Sequence, residues 1–210
     1  MRRRFRAGRP LALAAAVLLL TACGGILPVP KAPSNLYNLS PKSNFDPGLP
    51  RVEWQLVIEE PVAAGGLDTA RIAVRPSPLE LGYFGDIRWT ERAPKMVQTL
   101  LVESFENSGT IVAVGRQAIG LRADFSLKTE IREFQVEDFG GGKIRVRINA
   151  KLIRQPRQII VRSASFEAAV DDPPTESMED SIRAWDEAMG TVLRDIVEWT
   201  IVEGQRAYGR

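Results

Sequence analysis

The sequence predicts an α+β fold in which an antiparallel sheet is covered on one face by two amphipathic helices. Two runs alternate almost strictly between apolar and polar residues. In the first, Ala123, Phe125, Leu127, Thr129 and Ile131 alternate with Asp124, Ser126, Lys128, Glu130 and Arg132. In the second, Ile144, Val146, Ile148, Ala150 and Leu152 alternate with Lys143, Arg145, Arg147, Asn149 and Lys151. Successive side chains on a strand point to opposite faces, so each run has one oily face and one wet face. Two other stretches repeat apolar residues at helical spacing, the mark of a helix with one buried stripe. One-faced strands and one-faced helices bury both stripes by packing as two layers.

The elements follow in order. Leu36-Tyr37-Asn38-Leu39 is an apolar island that docks as a short edge strand. The globular part begins near Val52, and Trp54, Leu56 and Ile58 alternate along a strand ending at Glu59. Residues 70–75 form a second short strand, stopped by Pro76 and Pro78. Residues 80–89 hold Tyr83, Phe84, Ile87 and Trp89 in a further strand or hairpin. A helix spans 93–107, with Thr90 or Glu91 as cap, Pro94 in its first turn and Gly109 as a left-handed stop. Its stripe is Val97, Leu100, Leu101, Ser104 and Phe105. Ile111 to Val114 follows as a strand. The two alternating runs come next, joined by a turn at Gly140-Gly141-Gly142, and residues 157–170 continue in the same style, completing a meander. Asp172-Pro173-Pro174 stops the sheet. The last helix runs from about Glu176 to Arg206, with Ser177 and Asp180 at its start. Ile182, Trp185, Met189, Val192, Leu193, Ile196 and Trp199 or Thr200 line its stripe.

The N-terminus reads as an export signal. Arg2, Arg3, Arg4, Arg6 and Arg9 precede an apolar run from Leu11 to Leu20. About ten residues suit a signal peptide and fall short of the roughly 20 that cross a bilayer. The run ends in Leu20-Thr21-Ala22-Cys23, which resembles the lipobox of bacterial lipoproteins. Cleavage before Cys23 would leave its thiol and amine to be acylated, joining the protein to membrane lipid. An ordinary secreted protein cut after Ala22, or an uncleaved anchor helix, is the alternative. Cys23 is the only cysteine of the chain, so no intramolecular disulfide competes for it. The expected organisation is a signal peptide over 1–22, a lipidated Cys23 with a Pro-rich tether over 23–50, and the α+β domain over 51–210. Six prolines between Pro28 and Pro50 make the tether an extended spacer on composition.

Composition narrows the function. Loss of the five N-terminal arginines turns the formal charge of +2 into −3, which lacks the basic excess of a nucleic-acid binder. The chain has no histidine. That removes the commonest general base and the commonest metal ligand together. No phosphate loop or calcium loop is present in the sequence. The expectation is a protein that is not an enzyme and needs no cofactor or metal.

The chain resembles the ABC-type transport auxiliary lipoproteins, the family of the paraquat-inducible C-type lipoprotein. The strings that carry the likeness are Leu36-Tyr37-Asn38-Leu39 after the lipobox, Leu67-Asp68-Thr69-Ala70-Arg71-Ile72, and Tyr83-Phe84-Gly85-Asp86-Ile87-Arg88-Trp89. Pro94 and Val97-Gln98 follow in the helix, then Ala123-Asp124-Phe125-Ser126-Leu127, Phe134, and Trp199 near the end. The resemblance implies an α/β sandwich of anticodon-binding-like shape that binds no nucleic acid. It implies a partner role beside a Mce-type periplasmic lipid-binding protein and its ABC permease and ATPase. By resemblance to lipoprotein sorting rules, Gly24 after Cys23 favours the periplasmic side of the outer membrane. A pilotin-type assembly lipoprotein for another envelope machine is the rival, and lipid carriage by the domain itself would need an apolar cavity of roughly 300–1,000 Å³. A homo-oligomer is also open.

Five residues are candidates for partner contact. Arg71 opens a strand beside Asp68, where a local ion pair competes with a partner. Tyr83 and Trp89 are aromatics of the kind enriched at interfaces, with core packing as the alternative. Arg145 and Arg147 share the outward face of one strand with Lys143 and Lys151, a stripe suited to anionic lipid or an acidic partner. Glu130, Glu133 and Glu137 are interspersed, which favours a solvated face instead.

Overall fold

The computed structural model describes residues 35–116, 122–171 and 177–209. Cys23, the signal and the first part of the tether lie outside the described residues, as do Asp172-Pro173-Pro174 and Glu176, the expected first residue of the last helix. Among the described residues there are nine strands and two helices. The strands are β1 (Asn35–Tyr37), β2 (Val52–Ile58), β3 (Val62–Ala63), β4 (Arg71–Ser77), β5 (Glu80–Trp89), β6 (Ile111–Arg116), β7 (Phe125–Glu137), β8 (Lys143–Arg154) and β9 (Ile159–Asp171). The helices are α1 (Ala93–Ser108) and α2 (Met178–Tyr208). The fold is α+β, as the alternating runs and helical stripes imply.

Strand β7 is the spine of the sheet. Along one edge it pairs antiparallel with β8 from Phe125↔Arg154 to Glu137↔Lys143, and β8 pairs antiparallel with β9. Along its other edge it takes three partners in succession. These are β2 at Phe125–Leu127, β3 at Glu130–Ile131 and β4 at Gln135–Glu137, all parallel to it. Beyond them, β6 lies parallel to β2, β5 antiparallel to β4, and β1 parallel to β5. The sheet is therefore mixed, whereas an antiparallel one was expected. The meander β7-β8-β9 is antiparallel because short turns join its strands. The β4–β5 hairpin is antiparallel for the same reason, while longer connections, one of them holding α1, separate the strands that pair in parallel.

Both helices cover one face. In β8 the residues Ile144, Val146, Ile148, Ala150 and Leu152 are fully buried on that face. Trp185 of α2 stands edge-on to Trp89 of β5 at 5.2 Å and to Phe134 of β7 at 4.5 Å. A second aromatic pair, Trp54 and Phe125, meets edge-on at 5.2 Å between β2 and β7. The quadrupoles of the rings favour this edge-to-face geometry. Gly204 of α2 lies over Trp54: a Cβ there would sit 2.5 Å from the indole Cζ2. The small residue sets how closely the helix approaches the sheet.

The helix ends match their local chemistry. Ser177 caps α2 by accepting a hydrogen bond from the Asp180 N–H at 3.1 Å. Gly109 ends α1 in the left-handed region at φ 61°. At the start of α1 the cap position is Arg92, not Thr90 or Glu91, and no side chain caps it. The Gly140–Gly142 turn has three positive φ values in a row, which suits a turn that only glycine adopts without strain.

The tether expected over 23–50 is, from Asn35 onward, a strap on the body. Leu39 is 3 % exposed, and Phe45 and Leu49 pack against the core. The Ser40 N–H donates to Asp186 Oδ1 at 2.6 Å and the Asp46 N–H to Glu198 Oε1 at 2.9 Å, both on α2. The Lys42 N–H donates to Ser104 Oγ at 2.9 Å and its carbonyl accepts from Asn107 Nδ2 at 3.0 Å, both on α1. Proline-rich composition excludes self-ordering, but backbone donors and a few apolar side chains suffice when a helical surface is ready to receive them.

Candidate functional site

The outward face of the sheet, opposite the helices, carries most of the singled-out residues. On β8, Arg145 donates through Nη1 to Glu167 Oε1 of β9 at 2.7 Å. Its Nε lies 3.4 Å from Glu137 Oε1 and 3.7 Å from Glu133 Oε2 on β7, both ion contacts and neither a hydrogen bond. Arg147 donates through Nη2 to Glu133 Oε1 at 2.8 Å. Arg75 of β4 closes the ladder on Glu137 at 3.7 Å. Lys143 pairs with Asp171 at 2.8 Å and Lys128 with Glu59 at 3.4 Å. Three arginines thus face three glutamates across four strands, and the stripe expected to be basic is charge-compensated. Cross-strand register does this: Glu133↔Arg147↔Glu167 lie in one row. Such a face offers a partner paired charges and hydrogen bonds, not a positive field.

Arg71 and Tyr83 sit together at the far side of this face. The Arg71 guanidinium lies over the Tyr83 ring, 3.6 Å from its centroid. The Tyr83 hydroxyl donates to the Gly66 carbonyl at 3.1 Å. The stacked cation is exposed, so the contact is worth about 0.5–1 kcal/mol. Asp68 does not pair with Arg71. It joins Arg92, which also holds Glu60 at 2.6 Å. Arg71 instead uses its backbone N–H on Thr69 Oγ1 at 3.2 Å.

Trp89 is the correction among the candidates. It is 1 % exposed and packs between Phe134 and Trp185, so it cannot present a surface to a partner. The reason is register. The pairing of β4 with β5 shifts between Arg71↔Arg88 and Ala73↔Tyr83, which puts Tyr83 on the outward face and Trp89 on the inward one.

Two concave sites accompany these residues. A pocket of about 250 Å³ lies on the helix side, lined by Ile72, Val74, Phe84, Val136, Met178 and Trp185 among others. An open groove of about 300 Å³ lies on the outward side, with Leu79 and Leu81 on its wall and Arg132, Glu133 and Gln135 on its floor. Pro78-Leu79 is the turn of the β4–β5 hairpin that forms that wall, so β4 stops at Pro78 as expected but runs through Pro76. No cluster of residues able to hold a metal occurs among the described residues, and no helix among them is long and apolar enough to cross a membrane.

Comparison with known proteins places this architecture. The solved structure of a protein from Xanthomonas campestris superposes with a TM-score of 0.79 at 30 % identity, covering 84 % of this chain and 100 % of that one. A second solved structure, of an uncharacterized protein, has a TM-score of 0.57 at 14 % identity over 84 % of this chain, a likeness of fold alone. An uncharacterized protein of Bradyrhizobium diazoefficiens is 27 % identical over 166 residues, covering 79 % of this chain. The chain spans less than half of that relative, 44 % of its length. The family model described as the ABC-type transport auxiliary lipoprotein component matches residues 37–197, from β1 through most of α2. The chain belongs to the ABC-type transport auxiliary lipoprotein component family.

Proposed function

We propose that this protein is a non-catalytic lipoprotein of a Mce-type ABC lipid transport system, which docks the periplasmic lipid-binding partner so that lipid passes between membranes. The family match over residues 37–197 carries the reading, taken with Cys23 at the end of a lipobox fourteen positions before it. The mechanism is positional. Acyl chains on Cys23 fix one end at the periplasmic side of the outer membrane. The residues up to Asn35 give reach, and the sheet-and-helix body presents its outward face. Arg71, Tyr83, Arg145 and Arg147 are the partner-contacting residues, and Trp89 supports them from within.

A body filled by aromatic and aliphatic side chains supports docking over carriage, since its apolar pocket of about 250 Å³ lies below the range of drug-sized ligand sites. Co-purification with a Mce protein of the same cell tests the proposal, together with lipid trafficking in a deletion strain. Failure to co-purify with unaltered trafficking would overturn it. Recovery with a secretin or another outer-membrane assembly would favour the pilotin reading. A homo-oligomer would show as a multiple of the chain mass in light scattering.

A further inference from the structure

We infer that the outer edge of β9 is a docking site for an extended segment of a partner protein, one that alternates basic and apolar residues and adds to the sheet as a further strand. The site lies beside the docking face proposed above and stands whether or not that partner is a Mce protein.

The edge itself is open. Among the described residues β9 pairs with β8 alone, so its other side has no strand. It is 13 residues long, about 43 Å at 3.3 Å per residue. The other outermost strands are shorter, three residues in β1 and six in β6. Every second residue of an edge strand turns its N–H and C=O away from its neighbour, which leaves a row of unpaired groups. A short edge, a proline or a lysine closes such a row to other chains. β1 and β6 are short, whereas β9 holds no proline, glycine or lysine.

The two faces beside the edge define the occupant. Directly opposite residues of paired strands share a face. Glu167 and Asp171 lie opposite Arg147 and Lys143 on the outward face. Each holds one cation of β8, yet their side chains stay 44 % and 75 % exposed. Arg162, the one basic residue of β9, lies opposite Leu152 on the helix side and is spent on Glu203. The outward side of the edge is therefore acidic. On the helix side Phe166, Ala168 and Val170 lie opposite Ile148, Val146 and Ile144. Those three of β8 are sealed, but their β9 neighbours are only partly covered, as is Trp199 of α2, which meets Phe166 edge-on at 5.5 Å. The helix side of the edge is therefore apolar.

A strand laid there with bases outward and apolar residues toward α2 neutralises the acids and covers the aromatic pair. β8 is such a strand, and it already fills the other side of β9. Strand addition takes affinity from main-chain hydrogen bonds and specificity from alternate side chains. A second copy of the chain offers no equivalent. Its basic strand β8 is enclosed between β7 and β9, β6 holds Arg116 as its only base, and β9 against β9 would bring acids and serines to their like on the outward face.

The test uses the full mature protein and synthetic peptides of about ten residues, the upper length of common strands, with amide hydrogen exchange as the readout. A peptide alternating lysine and valine should slow exchange within β9 and leave β6 unchanged. The same peptide with every backbone nitrogen methylated keeps its side chains and charge but loses its donors, and should give no protection. A peptide alternating glutamate and valine should bind about tenfold more weakly than the lysine–valine peptide, or worse. Ser165→Lys, at an exposed position of the outward face, should weaken the lysine–valine peptide about tenfold with Tm unchanged. Equal binding of the methylated peptide reduces the contact to charge and overturns the inference. Equal binding of the glutamate–valine peptide, or protection that falls outside β9, also overturns it. Protection of β9 that rises with protein concentration in the absence of peptide overturns it by giving the edge to a second copy.

Discussion

Two glycines of α2 should respond to the same substitution with opposite signs. An alanine in a helix interior is favoured over glycine by about 1 kcal/mol, because glycine loses more backbone freedom on folding. At Gly190 the nearest atom to a new Cβ is Lys42 Cδ at 3.8 Å, an ordinary contact with a flexible side chain. Gly190→Ala should therefore stabilise the protein by about 1 kcal/mol. At Gly204 the new Cβ would lie 2.5, 2.9 and 3.1 Å from Cζ2, Cη2 and Cε2 of Trp54. That indole is rigid, fully buried and backed by Phe125. It cannot yield without moving the sheet. Overpacking of this kind costs about 3 kcal/mol, and the helical gain offsets about 1, so Gly204→Ala should lose about 2 kcal/mol. For a domain of this size that is a fall in Tm of roughly 4–8 °C. Thermal and urea unfolding of the purified protein read both changes. A second measurement isolates the cause: with Trp54→Leu already in place, Gly204→Ala should cost much less than in the native background. A stabilising Gly204→Ala, or a cost unchanged by the loss of the indole, would refute the close approach of α2 to β2.

Four further outcomes follow from the structure. Leu39→Ala empties a buried site under the strap and should cost about 2–4 kcal/mol, with faster proteolytic cleavage within residues 40–50 as the accompanying sign. Ser177→Ala removes the α2 cap and should lower stability by about 1 kcal/mol in urea unfolding, while Ser177→Asp should retain most of it. Glu133→Gln removes the carboxylate to which Arg147 donates and which lies beside Arg145, and with the Glu133 side chain only 16 % exposed it should cost about 1.5–3 kcal/mol in urea unfolding, more than an exposed pair would. Cys23→Ser should move the protein from the membrane to the soluble fraction of fractionated cells, and mass spectrometry of the N-terminal peptide should lose its acyl mass.

The sequence showed one kind of information well. Alternation along 123–132 and 143–152 identified β7 and β8 and the faces they bury, and the stripes from Val97 to Phe105 and from Trp185 to Thr200 identified both helices. Alternation reports which side of a strand is dry. It is silent on the direction of the neighbour, so the parallel pairing of β2, β3 and β4 along β7 could not be read. The strap beyond Leu39 is invisible to composition for a related reason. Composition describes what a segment does alone, and residues 40–50 are ordered by carboxylates and hydroxyls contributed by helices far along the chain. The candidate surface was legible in part. Arg145 and Arg147 face outward as their register demands, but their neutralisation by Glu133, Glu137 and Glu167 depends on cross-strand rows that no single strand displays. Trp89 shows the same limit, because a bulge in β5 decides which aromatic is covered.

The strap also decides how the body bears load. A pull on the N-terminus toward the hairpin side arrives along the axis of β1, so its bonds to β5 are sheared together and not peeled one at a time. Behind β1, the next residues are fastened to both helices, so unravelling must strip Leu39 from the core before the force reaches β2. The N-terminal side of the body is thereby built to stay folded when the chain that precedes it is pulled.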